Sequence, residues 1–401
     1  MATATQPSSV APASMFGMPG VTRPIETKEN NDATTVTLAS GTSTTQTGLI
    51  PFRQTDVIYG WQLEVSHALT LTPGTGTITV GDYFPDSFLG NVQLNMQNQF
   101  STINVASGID LALFQNIRPM RKSDYQNALY ASPVSLYNAQ TNAITASNYT
   151  NSSTTVARRY ELPAGLWFDQ YFELDPNVNP LTAAPLRAFV SPQYMAGTAR
   201  IVTPQLTFAP LAGTTADIGP YTKTGVATIA ATTTENWRRL GIYQPQGQAD
   251  SPPVFNWQYV RKTQTFSLSG VSSSNLNIPL NGQILSLYVR LYDPSANSSL
   301  GAPIAVSSVT EADVVYGSGL FRYQDTYIDA QARYLAQSGT LPTKGVLIWD
   351  FARDDQDNIT NRYALNTMNT SGIQIQLTFS GTQSSTAYAV VGVEALQYVE
   401  L

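Results

Sequence analysis

Gly345–Phe379, GVLIWDFARDDQDNITNRYALNTMNTSGIQIQLTF, is the stretch whose reading decides the fold. It opens with a short apolar run, Val346, Leu347, Ile348 and Trp349. The run is too short for a helix and has the β-branched content of a buried strand. A turn loaded with Asp and Asn follows at Arg353–Asn361, where side chains can bond their own backbone in place of ladder partners. The stretch closes with Ile373, Ile375, Leu377 and Phe379 alternating with Gln374, Gln376 and Thr378. That is the period-2 pattern of a strand with one face in a core and one face wet.

An earlier stretch follows the same grammar. Gly165-Leu166-Trp167-Phe168-Asp169 leads into the polar, proline-broken Leu174–Ser191 and then into Arg200–Phe208. Both copies end in Gln-Leu-Thr-Phe, at Gln205–Phe208 and Gln376–Phe379. The spacing from tryptophan to tetrapeptide differs between them. The repeat is therefore degenerate, and it points to a duplicated β-unit.

The 401 residues are enough for two domains with cores of their own. There is no cysteine, which excludes disulfides, thiol chemistry and thiolate metal sites. Only 12% of residues are charged, about half the roughly 25% of ordinary soluble domains. Such a chain stays soluble through Thr, Ser, Asn and Gln, or hides its surface against copies of itself. Its 21 Tyr, 15 Phe, 27 Gly and 24 Pro suit an all-β chain with many turns. Net charge is −6, and basic residues cluster no further than Arg118–Lys122, Arg158-Arg159 and Arg238-Arg239. That is not the concentrated basic footprint of a sequence-reading nucleic-acid binder. No apolar run approaches the roughly 20 residues of a membrane helix. No basic region with an apolar core opens the chain, so no signal peptide is expected.

Residues 1–48, rich in Ala, Thr, Ser and Pro, read as a flexible tail or as an arm ordered against a neighbouring subunit. In Trp61–Leu71, Trp61, Leu63, Val65, Leu69 and Leu71 share one strand face. The only histidine, His67, falls in the same phase and is expected to be hydrogen-bonded within a β-core. Val92–Phe100 and Ile103–Leu113 are strand candidates, although Ile109–Ile117 reads equally as a short helix. Gln140–Thr155 reads as a long loop, and Val226–Ala231 as a closing strand. The triplets at Asn148 and Asn151 match glycosylation acceptors by composition alone. Tyr243–Pro253, YQPQGQADSPP, is the best linker. Beyond it, Leu276, Ile278 and Leu280 alternate, with Pro279 marking an edge or a strand end, and Asn281-Gly282 is a hairpin-type turn signal. Leu285, Leu287, Val289 and Leu291 share a face. Phe321–Gln337 is expected as a helix, with Tyr323, Tyr327, Ala330 and Tyr334 on its packing side and Gly339 as a stop. Ala387–Val399 closes the chain as a buried strand.

Little in this pattern suggests catalysis. One histidine in the core phase of a strand argues against a Ser–His–Asp arrangement. The acids Asp354, Asp355 and Asp357 lack the glycine and closing glutamate of an EF-hand loop. They read as a self-bonded turn or, less simply, as an ion site. Two Trp/Asp pairs, Trp167 with Asp169 and Trp349 with Asp350, would suit a glycosidase if their carboxylates faced a groove.

The run Gly345-Val346, Trp349-Asp350-Phe351, Arg353-Asp354 resembles a segment near the C-terminus of the double jelly-roll major capsid proteins of tectivirus-like, tailless icosahedral phages. There a Gly-Val, aromatic, Asp-x-Arg-Asp run leads into the last strands of the second jelly roll. The helix expected at Phe321–Gln337 is similar to one those proteins carry at the same place. Leu186–Gly197 and Leu206–Phe208 resemble the end of the first roll. The resemblance implies two side-by-side eight-stranded jelly rolls, with an arm at 1–48, a first roll at 49–245 and a second at 246–401. It implies a coat protein of the virion that forms homotrimers with a nearly hexagonal outline and tiles an icosahedral shell. Neighbouring trimers and penton or minor capsid proteins would be its partners, and the arm would face an internal membrane. It implies no cofactor and no metal, and Gly345, Val346, Trp349, Asp350, Phe351, Arg353 and Asp354 would serve structure. The other reading of the same β-rich chain is a phage spike, fibre or carbohydrate-binding sandwich.

Overall fold

The computed structural model describes residues 24–29, 36–38, 44–47, 50–51, 56–72, 77–80, 83, 86–96, 103–105, 107–117, 143–145, 152–163, 201–208, 221–223, 228–243, 257–278, 280, 282–296, 302–305, 308–316, 320–338, 342, 345–351, 365–367 and 372–398. Sixteen of the described strands make up two repeated pairs of sheets. In the first half they are β1 (Pro24–Glu29), β2 (Thr44–Thr47), β3 (Asp56–Thr72), β4 (Leu89–Met96), β5 (Ile103–Val105), β6 (Ser152–Pro163), β7 (Ile201–Phe208) and β8 (Thr228–Tyr243). In the second half they are β9 (Trp257–Ser267), β10 (Ser273–Ile278), β11 (Gly282–Asp293), β12 (Val309–Tyr316), β13 (Leu320–Asp325), β14 (Val346–Asp350), β15 (Ile373–Phe379) and β16 (Tyr388–Tyr398).

The first half forms sheets β1-β8-β3-β6 and β2-β7-β4-β5. The second forms β9-β16-β11-β14 and β10-β15-β12-β13. Counted within each half, both give the orders 1-8-3-6 and 2-7-4-5, all pairings antiparallel. This is the order of an eight-stranded jelly roll, occurring twice. Each half also places a helix between its fifth and sixth strands: Gly108–Ile117 in the first and Tyr327–Ser338 in the second. The two Gln-Leu-Thr-Phe segments end β7 and β15, the seventh strand of each roll. The repeated tetrapeptide therefore marks the same topological position in both.

The second core forms where the inner faces of its sheets meet. Ile373, Ile375, Leu377 and Phe379 of β15 are buried while Gln374, Gln376 and Thr378 are half-buried, as their alternation predicts. They pack with Leu276, Val314, Leu287, Val289, Leu347, Trp349 and Val391. On β11 the register slips between Ile284 and Ser286. The bulge places Ile284, not Leu285, with the core cluster that holds Leu287, Val289 and Leu291. β10 lies in one sheet and β11 in the other, so the chain turns a corner here in place of the hairpin expected from Asn281-Gly282. Thr367 holds it, its hydroxyl donating to the Leu280 carbonyl (2.6 Å) and accepting from the Gly282 amide (3.1 Å).

Three other expectations are corrected. Pro24–Glu29, Val36–Leu38 and Thr44–Thr47, all inside the expected tail, pair with β8 and β7. Ladder pairing through the backbone needs no apolar periodicity, which is why composition hid these strands. Gln140–Thr155, expected as a loop, holds a short strand at Ala143–Thr145 and the start of β6. Phe321–Asp325 is strand β13, and the second helix begins only at Tyr327. Its start is fixed by a capping box: Thr326 Oγ1 accepts from the Asp329 amide (3.2 Å), and Asp329 Oδ2 accepts from the Thr326 amide (3.2 Å) and hydroxyl (2.7 Å). Tyr323, Tyr327, Ala330 and Tyr334 are nevertheless all buried.

In the first roll Leu63, Val65 and His67 of β3 are buried. The His67 ring stacks on Phe88 at 4.0 Å, and its Nδ1 meets Thr233 Oγ1 at 2.8 Å. Burial lowers its pKa to about 3. The unfolded chain takes up a proton near 6.5 and the folded one does not, so this residue's contribution to stability is full above pH 6.5 and is lost as pH falls towards 3. In that window the loss reaches about 1.4 kcal/mol per pH unit. As the only histidine, His67 gives an unambiguous NMR signal. The expected outcome is an imidazole that keeps neutral chemical shifts in the folded protein down to pH 4. A midpoint near 6.5 would show that the ring is not held in the core.

Candidate functional site: the seam between the two rolls

The site is the contact at which the first helix (Gly108–Ile117) lies against the outer face of the β9-β16-β11-β14 sheet. Ser107 caps the helix. Its carbonyl accepts from the Leu111 amide (3.0 Å), its Oγ accepts from the Asp110 amide (3.4 Å), and its hydroxyl donates to Asp110 Oδ2 (2.6 Å). Asp110 then reaches into the second roll. Tyr288 Oη donates to its Oδ1 at 2.9 Å, and Arg290 Nη2 lies 3.3 Å from its Oδ2. Asp110 is 2% exposed, Tyr288 0% and Arg290 3%, so the group is cut off from water.

Around this centre Ile109, Leu113, Phe114 and Ile117 of the helix join Tyr83, Tyr288, Tyr292, Tyr334, Val346 and Ile348 in one apolar cluster. Phe114 meets Tyr288 edge-on at 5.0 Å, and the Arg261 guanidinium lies 5.3 Å from the Phe114 ring centre. Arg261 also pairs with Glu394 at 3.4 Å, and Ser286 Oγ donates to the same carboxylate at 2.9 Å. Tyr83 packs against Tyr292 at 5.9 Å and beneath Arg290 at 5.7 Å. Tyr334 Oη of the second helix lies 3.5 Å from the Asn116 carbonyl near the end of the first.

The electrostatics favour one protonation state. Burial raises the Tyr288 pKa well above its ordinary value and the charge of Asp110 raises it further, so the phenol stays a donor. Burial opposes the charge of Arg290, but Asp110 and the surrounding tyrosines hold its pKa above the ordinary arginine value. The outcome is a guanidinium and a carboxylate locked together between two domains. Such a pair contributes little net energy against an apolar isostere, yet removing one partner strands the other charge.

Close packing completes the seam. Ser286, Tyr288, Arg290 and Tyr292 alternate along β11 with core residues, and the sequence gives no sign that this polar side is buried. A Cβ on Gly392 of β16 would stand 2.0 Å from the Tyr288 ring, so only glycine lets that ring lie over the sheet.

The sequence-predicted signature borders this seam. Val346 and Ile348 of β14 belong to the seam cluster, while Leu347, Trp349 and Phe351 belong to the second core. Both faces of β14 are thus buried, which explains the unbroken apolar run. Gly345 takes φ +70°, its amide donates to Tyr327 Oη (3.1 Å), and a Cβ there would lie 2.6 Å from Pro303. Trp349 Nε1 donates to Asp325 Oδ2 (3.1 Å), and Arg333 of the second helix donates to Asp325 Oδ1 (2.6 Å). Arg333 covers the Tyr323 ring at 3.9 Å, and Tyr323 stacks on Phe351. Asp350 is 1% exposed inside the strand, so the pair it forms with Trp349 faces no groove of the kind a glycosidase needs. Arg353, Asp354, Asp355, Asp357, Trp167 and Asp169 lie outside the described residues. Among the described residues no group of three or more acids or histidines is placed to hold a metal ion. The sequence reading missed Asp110, Tyr288, Arg290 and Arg261. The capping box Ser107-x-x-Asp110 was the one local signal available.

No protein-family model and no curated protein matches the sequence. Solved structures do. The crystal structure of the STIV MCP aligns with a TM-score of 0.57 at 14% identity, covering 94% of this chain and 97% of that one. The atomic structure of Sulfolobus Turreted Icosahedral Virus gives 0.56 at 12% identity, over 94% and 90%. The PBCV-1 virus capsid gives 0.50 at 12%, over 94% and 93%. The chain thus has the double jelly-roll fold of these viral coat structures over nearly its whole length.

Replacing Asp110 by Ala should lower stability in urea by ~3–5 kcal/mol, because Arg290 is left buried without its carboxylate. Asn116→Ala, at the exposed position of the same helix, should change it by less than ~0.5 kcal/mol. Gly392→Ala should cost ~1–3 kcal/mol, and much less once Tyr288 is replaced by Leu. Additive losses at Gly392 and Tyr288 would contradict the packing described.

Proposed function

We propose that this chain is the major coat subunit of a tailless icosahedral virus, assembling as homotrimers with a pseudo-hexagonal outline. The observation that carries the reading is the pair of rolls with identical strand order, fixed side by side by a buried seam. Three such two-unit chains present six similar blocks around one axis, and closed symmetric rings are the usual outcome of self-association. The alignment with coat proteins over 94% of the chain supports it. A charged fraction of 12% suits extensive subunit contacts, whose cores are depleted in charge. Shell building asks for shape and complementarity, not for a reacting group.

On this reading the chain divides between Tyr243 and Trp257, and the first roll begins with β1 instead of at residue 49. Gly345, Val346, Trp349, Asp350 and Phe351 act as the brace that joins the second core to the seam. Arg353 and Asp354, as the rest of the signature, would serve structure and not catalysis. Penton or minor coat proteins, and a membrane beneath the shell, would be further partners, with the chain ahead of β1 as the segment to reach them.

Light scattering of the purified protein should give a mass of three times 43.4 kDa, or larger particles. Electron micrographs at higher concentration should show hexagonally packed sheets or shells. A monomer at every salt concentration and pH would overturn the proposal and favour the spike or carbohydrate-binding reading, for which a glycan array is the direct test.

A further inference from the structure

The two rolls share a strand order and a helix at the same place, but the two helices have different fates. Aligned at their caps, they read Ser107-Gly108-Ile109-Asp110 and Thr326-Tyr327-Ile328-Asp329, with an isoleucine second and an aspartate third after the cap in both. In the first helix Ile109 is 4% exposed and buried in the seam. In the second, Ile328 is 69% exposed. Among the described residues Ile328 and Leu335 are the only large hydrophobics in the open, and both lie on this helix. With exposed Ala332 they fall at i, i+4 and i+7, a single stripe distinct from the buried side of Tyr327, Ala330 and Tyr334.

The sheet faces show the same asymmetry. The outer face of the second roll's long-strand sheet is covered by the first helix. On the equivalent sheet of the first roll, the β3 residues out of phase with Leu63, Val65 and His67 run from covered to open: Gln62 is buried, Glu64 and Ser66 are half-buried, and Ala68 and Thr70 are exposed. Their register neighbours on β8 are Thr232 and Thr234, both half-buried. This is a surface of small side chains, against which a helix can approach closely. Among the described residues, one helix stripe and the Ser66–Thr70 end of one sheet face are thus left open, and they are counterparts of the two surfaces that already meet within the chain.

We propose that the second helix docks through Ile328, Ala332 and Leu335 onto the outer face of the β3-β6-β8 sheet of a second copy of the same chain. The contact repeats between chains the one that the first helix makes within it. It is heterologous, so each copy gives a helix to one neighbour and a face to the other, and a ring closes when the rotation permits. Exposed apolar groups gathered on one element mark interaction surfaces. The inference rests on the coat reading and adds the residues of its subunit contact.

Two experiments on the full chain test it. Ile328→Asp combined with Leu335→Asp should leave the circular dichroism spectrum of the folded chain unchanged, since both side chains are exposed. It should raise the concentration at which trimers dissociate roughly 30-fold or more. The chain has no cysteine, so Ile328→Cys with Ala68→Cys introduces the only thiols. Mild oxidation should give disulfide-linked dimers and trimers on a non-reducing gel, whereas Ile328→Cys with Asn275→Cys should not. A trimeric wild type whose aspartate variant is equally trimeric, or whose cysteine pair gives no interchain link, would overturn this contact and leave the coat reading standing. A wild type that is always monomeric would overturn both.

Discussion

Asp110 is the point on which the two halves of the molecule depend. It belongs to the first roll by sequence and to the second by bonding, since its carboxylate accepts from Tyr288 and faces Arg290 in a site closed to water. A buried charge pair is a poor source of net stability but a strict judge of geometry, because each misplacement leaves an ion without its counterion. The apolar cluster around it supplies attraction without direction. The charged centre supplies direction, and so the angle between the rolls becomes a property of the folded chain.

The signature near the C-terminus acts through the same seam. β14 sends Val346 and Ile348 towards the first roll and Leu347 and Trp349 into its own core. Asp325 links the Trp349 indole to Arg333 on the second helix, and Tyr327 on that helix holds the Gly345 turn. The second helix is therefore anchored on one side to both the second core and the seam, while its opposite stripe faces outward. Two jelly rolls of one design have used the same helix position differently, once for a contact inside the chain and once for a surface.

Strands that alternate were legible in the sequence: the reading of Ile373–Phe379 from period 2 agrees residue for residue with its burial. The repeated Gln-Leu-Thr-Phe pointed to duplication because it sits on the seventh strand twice. What escaped was whatever depends on a distant partner. The polar side of β11 has the pattern of a solvent face, and its partners are distant: Glu394 for Ser286, and Asp110, 180 residues from Arg290, for Tyr288 and Arg290. The first helix is buried on nearly every side, so it lacks the one-sided periodicity that separates helix from strand. The Leu285 phase failed at a bulge that alternation cannot foresee. The early strands escaped because short segments without an apolar period can pair by backbone alone, and the second helix was begun too early because its capping box went unused.

The claim that the seam makes one block of two rolls is tested most directly by differential scanning calorimetry of the wild-type protein. Two jelly rolls with separate cores would melt separately unless their contact couples them. The seam predicts a single cooperative transition whose calorimetric and van't Hoff enthalpies agree per cooperative unit, with two transitions appearing once Asp110 is replaced by Ala. Two resolved transitions in the wild type would contradict it, and would mean that the rolls are neighbours on a chain and not halves of one building block.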